Sequence, residues 1–138
     1  MENTSEMMAK SAEMLAAVML LSDFDICQRL ANLEGLLTYE QRQSVRINVP
    51  DGDDYYFNPL EDNDQMVALM IKYDVVRTFQ QYDFVGWSYH VIDGHNPAHI
   101  TERQDFNGTG KPDISMAKAV CLAIILNKDD DFSLTKGE

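Results

Sequence analysis

The stretch FNPLEDNDQMVALMIKYDVV, residues 57–76, holds a turn, a helix start, an apolar-striped helix and the start of a strand without a gap. Asn58-Pro59 makes the turn, because proline fixes its own φ and pushes its predecessor out of the helical region. Asp62, Asn63 and Asp64 fall where a helix has unpaired amides and a positive dipole end, so the spacing predicts a helix from residue 62 or 63 to Tyr73. Met66, Leu69, Met70 and Tyr73 share one face of it, and Val67 and Ile71 widen that face. Such a helix is covered on most sides. Asp74 to Phe79 then carries the β-branched content of a strand.

Toward the amino end, Ser5 is a candidate N-cap, and Met8, Leu15, Val18, Met19 and Leu21 recur at helical spacing over residues 6–21. Four of the eight methionines, Met1, Met7, Met8 and Met14, lie in this part of the chain. Methionine clusters can form adaptable binding surfaces, but a loosely packed arm or core helix is the simpler reading. Ser22-Asp23 opens a second helix with the stripe Phe24, Cys27, Leu30, Ala31 and Leu33, ended by Gly35. Thr38-Tyr39-Glu40-Gln41 has the form of a capping box and predicts a third short helix. Val45 to Val49 alternates apolar and polar as a short strand does, and Pro50 stops it.

Toward the carboxyl end, Phe84 to Ile92 is the most strand-like segment. Asp93-Gly94 predicts a turn, and Ala98 to Phe106 the partner strand. Asn107 to Gly110 reads as a loop. Asp113 is a candidate cap for a last helix in which Ile114, Ala117, Val120, Cys121, Ile124 and Ile125 follow helical spacing and Lys118 is the only charge. A helix so apolar predicts burial against the sheet. Residues 128–138 are acidic and polar and read as a disordered tail. The expected organisation is one α+β domain. A helical extension (1–50) precedes a small, mainly antiparallel sheet of three or four strands layered between helices (51–127), an α-β-α sandwich.

The chain of 138 residues suits a single core, and its hydrophobic fraction of 45% is ordinary for a globular domain. No cationic apolar leader opens it and no apolar run reaches the ~20 residues of a membrane span, which predicts a cytoplasmic protein with no membrane partner. A net charge of −12 repels nucleic-acid backbones, so no direct nucleic-acid contact is expected. Such a charge either merely solubilises the protein or suits docking on a basic surface.

The acids Asp51, Asp53, Asp54 and Glu61 gather on turns beside Tyr55 and Tyr56. Tyrosine among carboxylates suits an arginine-rich partner surface, so these six residues are the candidate partner-binding set. Their spacing does not fit a calcium-binding EF-hand loop. His90, His95 and His99 are close in sequence, and His90 and His99 can face each other across a hairpin. With no cysteine near them they read as scattered histidines, not as a zinc site. Cys27 and Cys121 read as buried small hydrophobes. Trp87 reads as buried in the sheet. Asn107 to Lys111 has glycines and a lysine ahead of a helix, an arrangement that can cradle an anion, but it lacks the spacing of a phosphate-binding loop. No activated nucleophile is evident, no cofactor is implied, and the chain is expected not to be an enzyme.

Asn58, Pro59, Leu60, Asp62, Asp64, Ala68 and Leu69, followed by Trp87 and by Ala117, Lys118, Ala119, Val120 and Ala123, resemble the phage ABA sandwich family, small proteins of phages and prophages. The resemblance spans roughly residues 57–127 and leaves the front of the chain outside it. It implies an α-β-α layered fold and a phage or prophage origin, and it brings no catalytic residues. With the charge it leads to an expected function: a binding protein that inhibits a host defence system by presenting an acidic face to a basic, nucleic-acid-binding host protein. The alternatives are a protein that sequesters a small ligand or nucleotide through the 107–111 loop, and a structural phage protein that forms homo-oligomers.

Overall fold

The computed structural model describes residues 4–104 and 112–132. Its fold class is α+β. Among these residues there are four helices, α1 (Thr4–Met19), α2 (Asp23–Leu33), α3 (Asn63–Lys72) and α4 (Met116–Lys128), and a short 3-10 turn, Asp130–Phe132. Two three-stranded antiparallel sheets accompany them. The first is β1 (Thr38–Gln41), β2 (Ser44–Ile47) and β3 (Tyr55–Tyr56); the second is β4 (Val75–Gln80), β5 (Gly86–Val91) and β6 (Ile100–Arg103).

Helices α2 and α3 start where their cap chemistry directs, whereas Ser5, the expected cap of the first helix, lies inside α1. The Ser22 side chain accepts from the Asp25 amide at 3.1 Å, and Asp62 accepts from Gln65 at 3.1 Å. At the end of α2, Gly35 takes φ +70° while its amide reaches Asn32 O and that of Leu36 reaches Ala31 O, the paired bonds of a Schellman motif. The last helix departs from expectation. Ser115, not Asp113, caps α4, accepting from Lys118 N at 3.0 Å. Asp113 is held at the edge of the second sheet instead, where its carboxylate accepts from Arg103 N at 2.7 Å and Ile114 N at 2.9 Å.

The largest correction concerns residues 38–47. The expected third helix at Thr38 is instead a strand that pairs with the expected strand around Val45 as a β-hairpin, with Thr38 opposite Ile47 and Gln41 opposite Ser44. Arg42 and Gln43 form its two-residue turn, both at positive φ (54° and 62°). Thr38 does not cap a helix; its hydroxyl accepts from the Gln28 side chain at 2.9 Å. The hairpin wins because it buries Val45 and Ile47 together, and the first sheet packs on α2. On a helix Val45 and Ile47, two residues apart, fall on opposite sides.

The core is centred on α4. Residues 119–127 of this helix are all buried, because α1, α2, α3 and the second sheet all pack on it. Tyr89, Val91, Val75 and Ile100 form the sheet's contribution to a single cluster of buried side chains that also takes in Val18 of α1 and Ile26 and Leu30 of α2. The helical front end and the region after residue 50 therefore share one core. A buried polar seam pins α1 to it. The Ser11 hydroxyl donates to Asn96 Oδ1 at 2.5 Å, and the Asn96 amide donates to Asn127 Oδ1 at 3.0 Å.

The first part of the expected disordered tail is ordered. Arg29 holds Asp129 at 2.9 Å and Asp131 at 2.8 Å, and its guanidinium lies over the ring of Phe132, which is buried. Residues 128–132 are thus part of the packed body. The 107–111 loop lies outside the described residues, as does most of the 128–138 tail.

Candidate partner-binding surface

In antiparallel pairs, directly opposed residues point to the same face. Thr38, Ile47 and Tyr55 are opposed, and so are Tyr39, Arg46 and Tyr56. Ile47 is buried against the body, so the second row faces outward. It forms a ladder of an arginine between two tyrosines. The Arg46 guanidinium lies 4.5 Å from the centre of the Tyr56 ring, and its Nε donates to the Tyr39 hydroxyl oxygen at 3.1 Å. Tyr39 and Tyr56 remain 38% and 47% exposed, enough to offer ring surface to a partner.

The six candidate residues divide into two groups. Asp51, Asp53 and Glu61 are exposed carboxylates. Glu61 lines an open groove with Tyr56, Ser44, Asn58 and Asp62, so an acid borders the tyrosine ladder on that side. Asp54 does a different job. One of its oxygens accepts from Tyr39 OH at 2.7 Å and the other from Val49 N at 3.0 Å, which ties the 49–54 turn to the hairpin. The Tyr39 hydrogen bond, then the Val49 amide, holds its carboxyl below the ordinary carboxylate value. Tyr56 stands in the ladder, whereas Tyr55 lies on the opposite side of β3, on the row of Ile47, with its ring partly exposed at the sheet edge. Tyr39 and Arg46 belong to this surface although neither was singled out from the sequence. Their alternation with Gln41 and Ser44 carried the signal, and the capping-box pattern at Thr38 masked it.

Other groups singled out from the sequence behave differently. Cys27 and Cys121 are both buried, as expected. Burial raises the Cys27 thiol to about 11, which leaves it a poor nucleophile. The cavity beside it holds about 70 Å³, room for a few waters and far short of a ligand pocket. His90 and His99 do face each other, with rings stacked 4.6 Å apart and 12° from parallel. Parallel rings direct their nitrogen lone pairs side by side and not toward one point, and among the described residues no three His, Cys, Asp or Glu side chains are grouped to hold a metal ion.

Trp87 is only partly buried. It lies under the Arg77 guanidinium at 3.7 Å and meets the Phe79 ring edge-on at 5.3 Å. The expectation of a core tryptophan fails because its row runs Val91, Tyr89, Trp87 toward the distal end of the hairpin. Val91 and Tyr89 are the buried members of that row. The Tyr89 hydroxyl donates to Glu102 Oε1 and accepts from Arg77 Nε at 2.8 Å. Burial, then the bond to Glu102, pushes its ionisation well above the ordinary phenol value, so Tyr89 stays a proton donor.

Among the described residues, no helix is long and apolar enough to cross a membrane. Compared with known proteins, the chain matches no family model, no curated protein and no solved structure.

Proposed function

We propose that the protein is a non-enzymatic binding protein of phage or prophage origin that acts in the bacterial cytoplasm. In this reading it inhibits a host defence system by presenting its acidic surface to a basic, nucleic-acid-binding component. The observation that carries the reading is the outward row Tyr39–Arg46–Tyr56, bordered by exposed Glu61 and adjoining the turn that bears Asp51 and Asp53. Interfaces concentrate their energy in exposed Tyr and Arg, and carboxylates around them steer a cationic partner. The net charge of −12 acts in the same direction. The resemblance of residues 57–127 to phage ABA sandwich proteins supports the origin.

The test is capture from a bacterial lysate at low salt, with elution by a salt gradient. One basic nucleic-acid-handling protein leaving at moderate salt is the expected result. The triple variant Asp51→Lys, Asp53→Lys, Glu61→Lys should lose that protein while keeping its fold. Asp54 stays untouched in this variant because it braces the hairpin. Capture that ignores both salt and charge reversal would reject the reading.

A further inference from the structure

The two edges of the second sheet are treated differently. Along β6, the chain returns and covers the edge. Gln104 bridges Pro112, Asp113 N donates to Arg103 O at 2.9 Å, and the Asp113 carboxylate takes the Arg103 amide. Along β4, no strand or loop pairs with the outer edge among the described residues.

The register identifies which groups are left over. Gln104 N donates to Val85 O, so Val85, Trp87 and Tyr89 turn their backbone groups toward β6. Bonding direction alternates along a strand, so Gly86, Ser88 and His90 bond β4, through their opposites Gln80, Thr78 and Val76. The N–H and C=O groups of Arg77 and Phe79 therefore point outward, away from the sheet. An unpaired edge of this kind is a template for an incoming strand.

Proteins that leave such an edge open usually guard it with a charge, a proline or a bulge. VVRTFQ, residues 75–80, has no proline and no glycine. Its one charge is withdrawn from the edge, because Arg77 is stacked on Trp87 and bonded to Tyr89. At the far end stand exposed aromatic side chains, Phe79 at 51% and Tyr82 at 89%.

Charge decides the occupant. Asp74 and Asp83 stand beyond the two ends of β4, exposed and with no ion pair among the described residues, whereas nearby Lys72 is already bound to Glu34. A second copy would bring another −12 charge and the same two carboxylates to this edge. A cationic segment meets attraction at both ends. We propose that the outer edge of β4 is a docking strand for an extended, β-forming segment of a partner protein that carries Lys or Arg at each end. This surface is separate from the Tyr39–Arg46–Tyr56 row, and its test does not depend on that row being functional.

The probe is a synthetic peptide, acetyl-Lys-Thr-Val-Thr-Val-Thr-Lys-amide, titrated into the full chain while backbone amide resonances are followed. Saturable shifts confined to Val75–Gln80 and their neighbours are expected, with slowed exchange of the Arg77 and Phe79 amides. A peptide with Glu in place of both Lys should bind at least about tenfold more weakly. Phe79→Pro removes an outward amide that the sheet itself does not use, and should weaken binding by about tenfold or more, whereas Phe79→Val keeps that amide and should lose far less. Slow amide exchange at Ser88 and His90, whose backbone groups bond β4, reports that the hairpin remains formed in both variants. The proposal is overturned by no shift at β4 up to millimolar peptide, by equal losses in the Pro and Val variants, by a footprint on Tyr39, Arg46 and Tyr56 instead, or by a dimer in sedimentation that Phe79→Pro abolishes.

Discussion

Tyr89 has no exposed surface, and its hydroxyl is satisfied only because Glu102 and Arg77 reach it from the neighbouring strands. Glu102 is itself almost fully buried, so its charge is tolerated through those two partners. Removing the acid should therefore cost more than removing the phenol oxygen. Glu102→Leu is expected to destabilise the fold by about 3 kcal/mol, since it leaves the buried Tyr89 hydroxyl without an acceptor and takes the carboxylate away from the half-buried Arg77 guanidinium. Tyr89→Phe should cost about 1 kcal/mol. Urea unfolding followed by Trp87 fluorescence gives both values, and equal effects would show that the three groups do not act together. Gly86 is a second residue-scale constraint. It has φ +154°, and a Cβ there would lie 2.0 Å from Glu102 O. Gly86→Ala must displace β6 and should lower the melting temperature more than alanine at exposed Thr78 of the neighbouring β4. The stacked histidines add a pH dependence. Burial, then the neighbouring His90, holds His99 below its ordinary value of 6.5. The unfolded chain therefore binds the proton more readily than the folded one. Stability is full above about 6.5 and falls as pH drops through that value toward the lower folded one. His99→Gln should flatten this slope in pH-dependent unfolding between pH 7 and 5; an unchanged slope would remove the pair as its source.

At the scale of elements, the β1–β2 hairpin is the place where local preference and final structure disagree most. Its turn places Arg42 and Gln43 in the left-handed region, which asparagine and glycine occupy at far lower cost. The strain is offset by burial of Val45 and Ile47. Gln43→Gly should therefore stabilise the protein by roughly 0.5–1 kcal/mol, the left-handed penalty removed less the entropy that glycine adds to the unfolded chain. A lower melting temperature in this variant would show that the Gln43 side chain itself contributes contacts. The start of α4 offers a matched comparison. Ser115→Ala should cost about 1 kcal/mol, because the hydroxyl satisfies a helix amide. Asp113→Ala should instead loosen the junction with β6, which amide exchange at Arg103 would report.

At the scale of the whole molecule, charge is distributed so that the packed body and the candidate interfaces draw on different acids. Asp129 and Asp131 share Arg29, and Glu34 pairs with Lys72 and accepts from the Tyr73 hydroxyl. Asp51, Asp53, Glu61, Asp74 and Asp83 stay exposed around the tyrosine row and the β4 edge. Salt should therefore weaken partner capture while leaving thermal stability nearly unchanged, because screening acts mainly on the exposed, unpaired charges. Parallel losses of binding and stability with salt would mean that the acidic surface also holds the fold together.

The covalent sequence alone determined the elements whose information is local. Ser22, Asp62 and Gly35 mark helix ends by side-chain or backbone chemistry within a few residues, and α3 and α4 carry uninterrupted apolar periodicity. The pairing of β5 with β6 and the meeting of His90 with His99 were legible from alternation and the Asp93 turn. Tertiary structure decided what depends on distant partners. Thr38–Gln41 is a strand because α2 offers a surface for Val45 and Ile47 beside it, although the tetrapeptide itself spells a helix cap. Asp113 leaves its expected cap because the β6 edge competes for its carboxylate. The outward row of Tyr39, Arg46 and Tyr56 exists only once three separate strands fix their register. Local capping and periodicity act over one or two turns of chain, whereas a surface assembled from three strands depends on contacts that no short window of sequence contains.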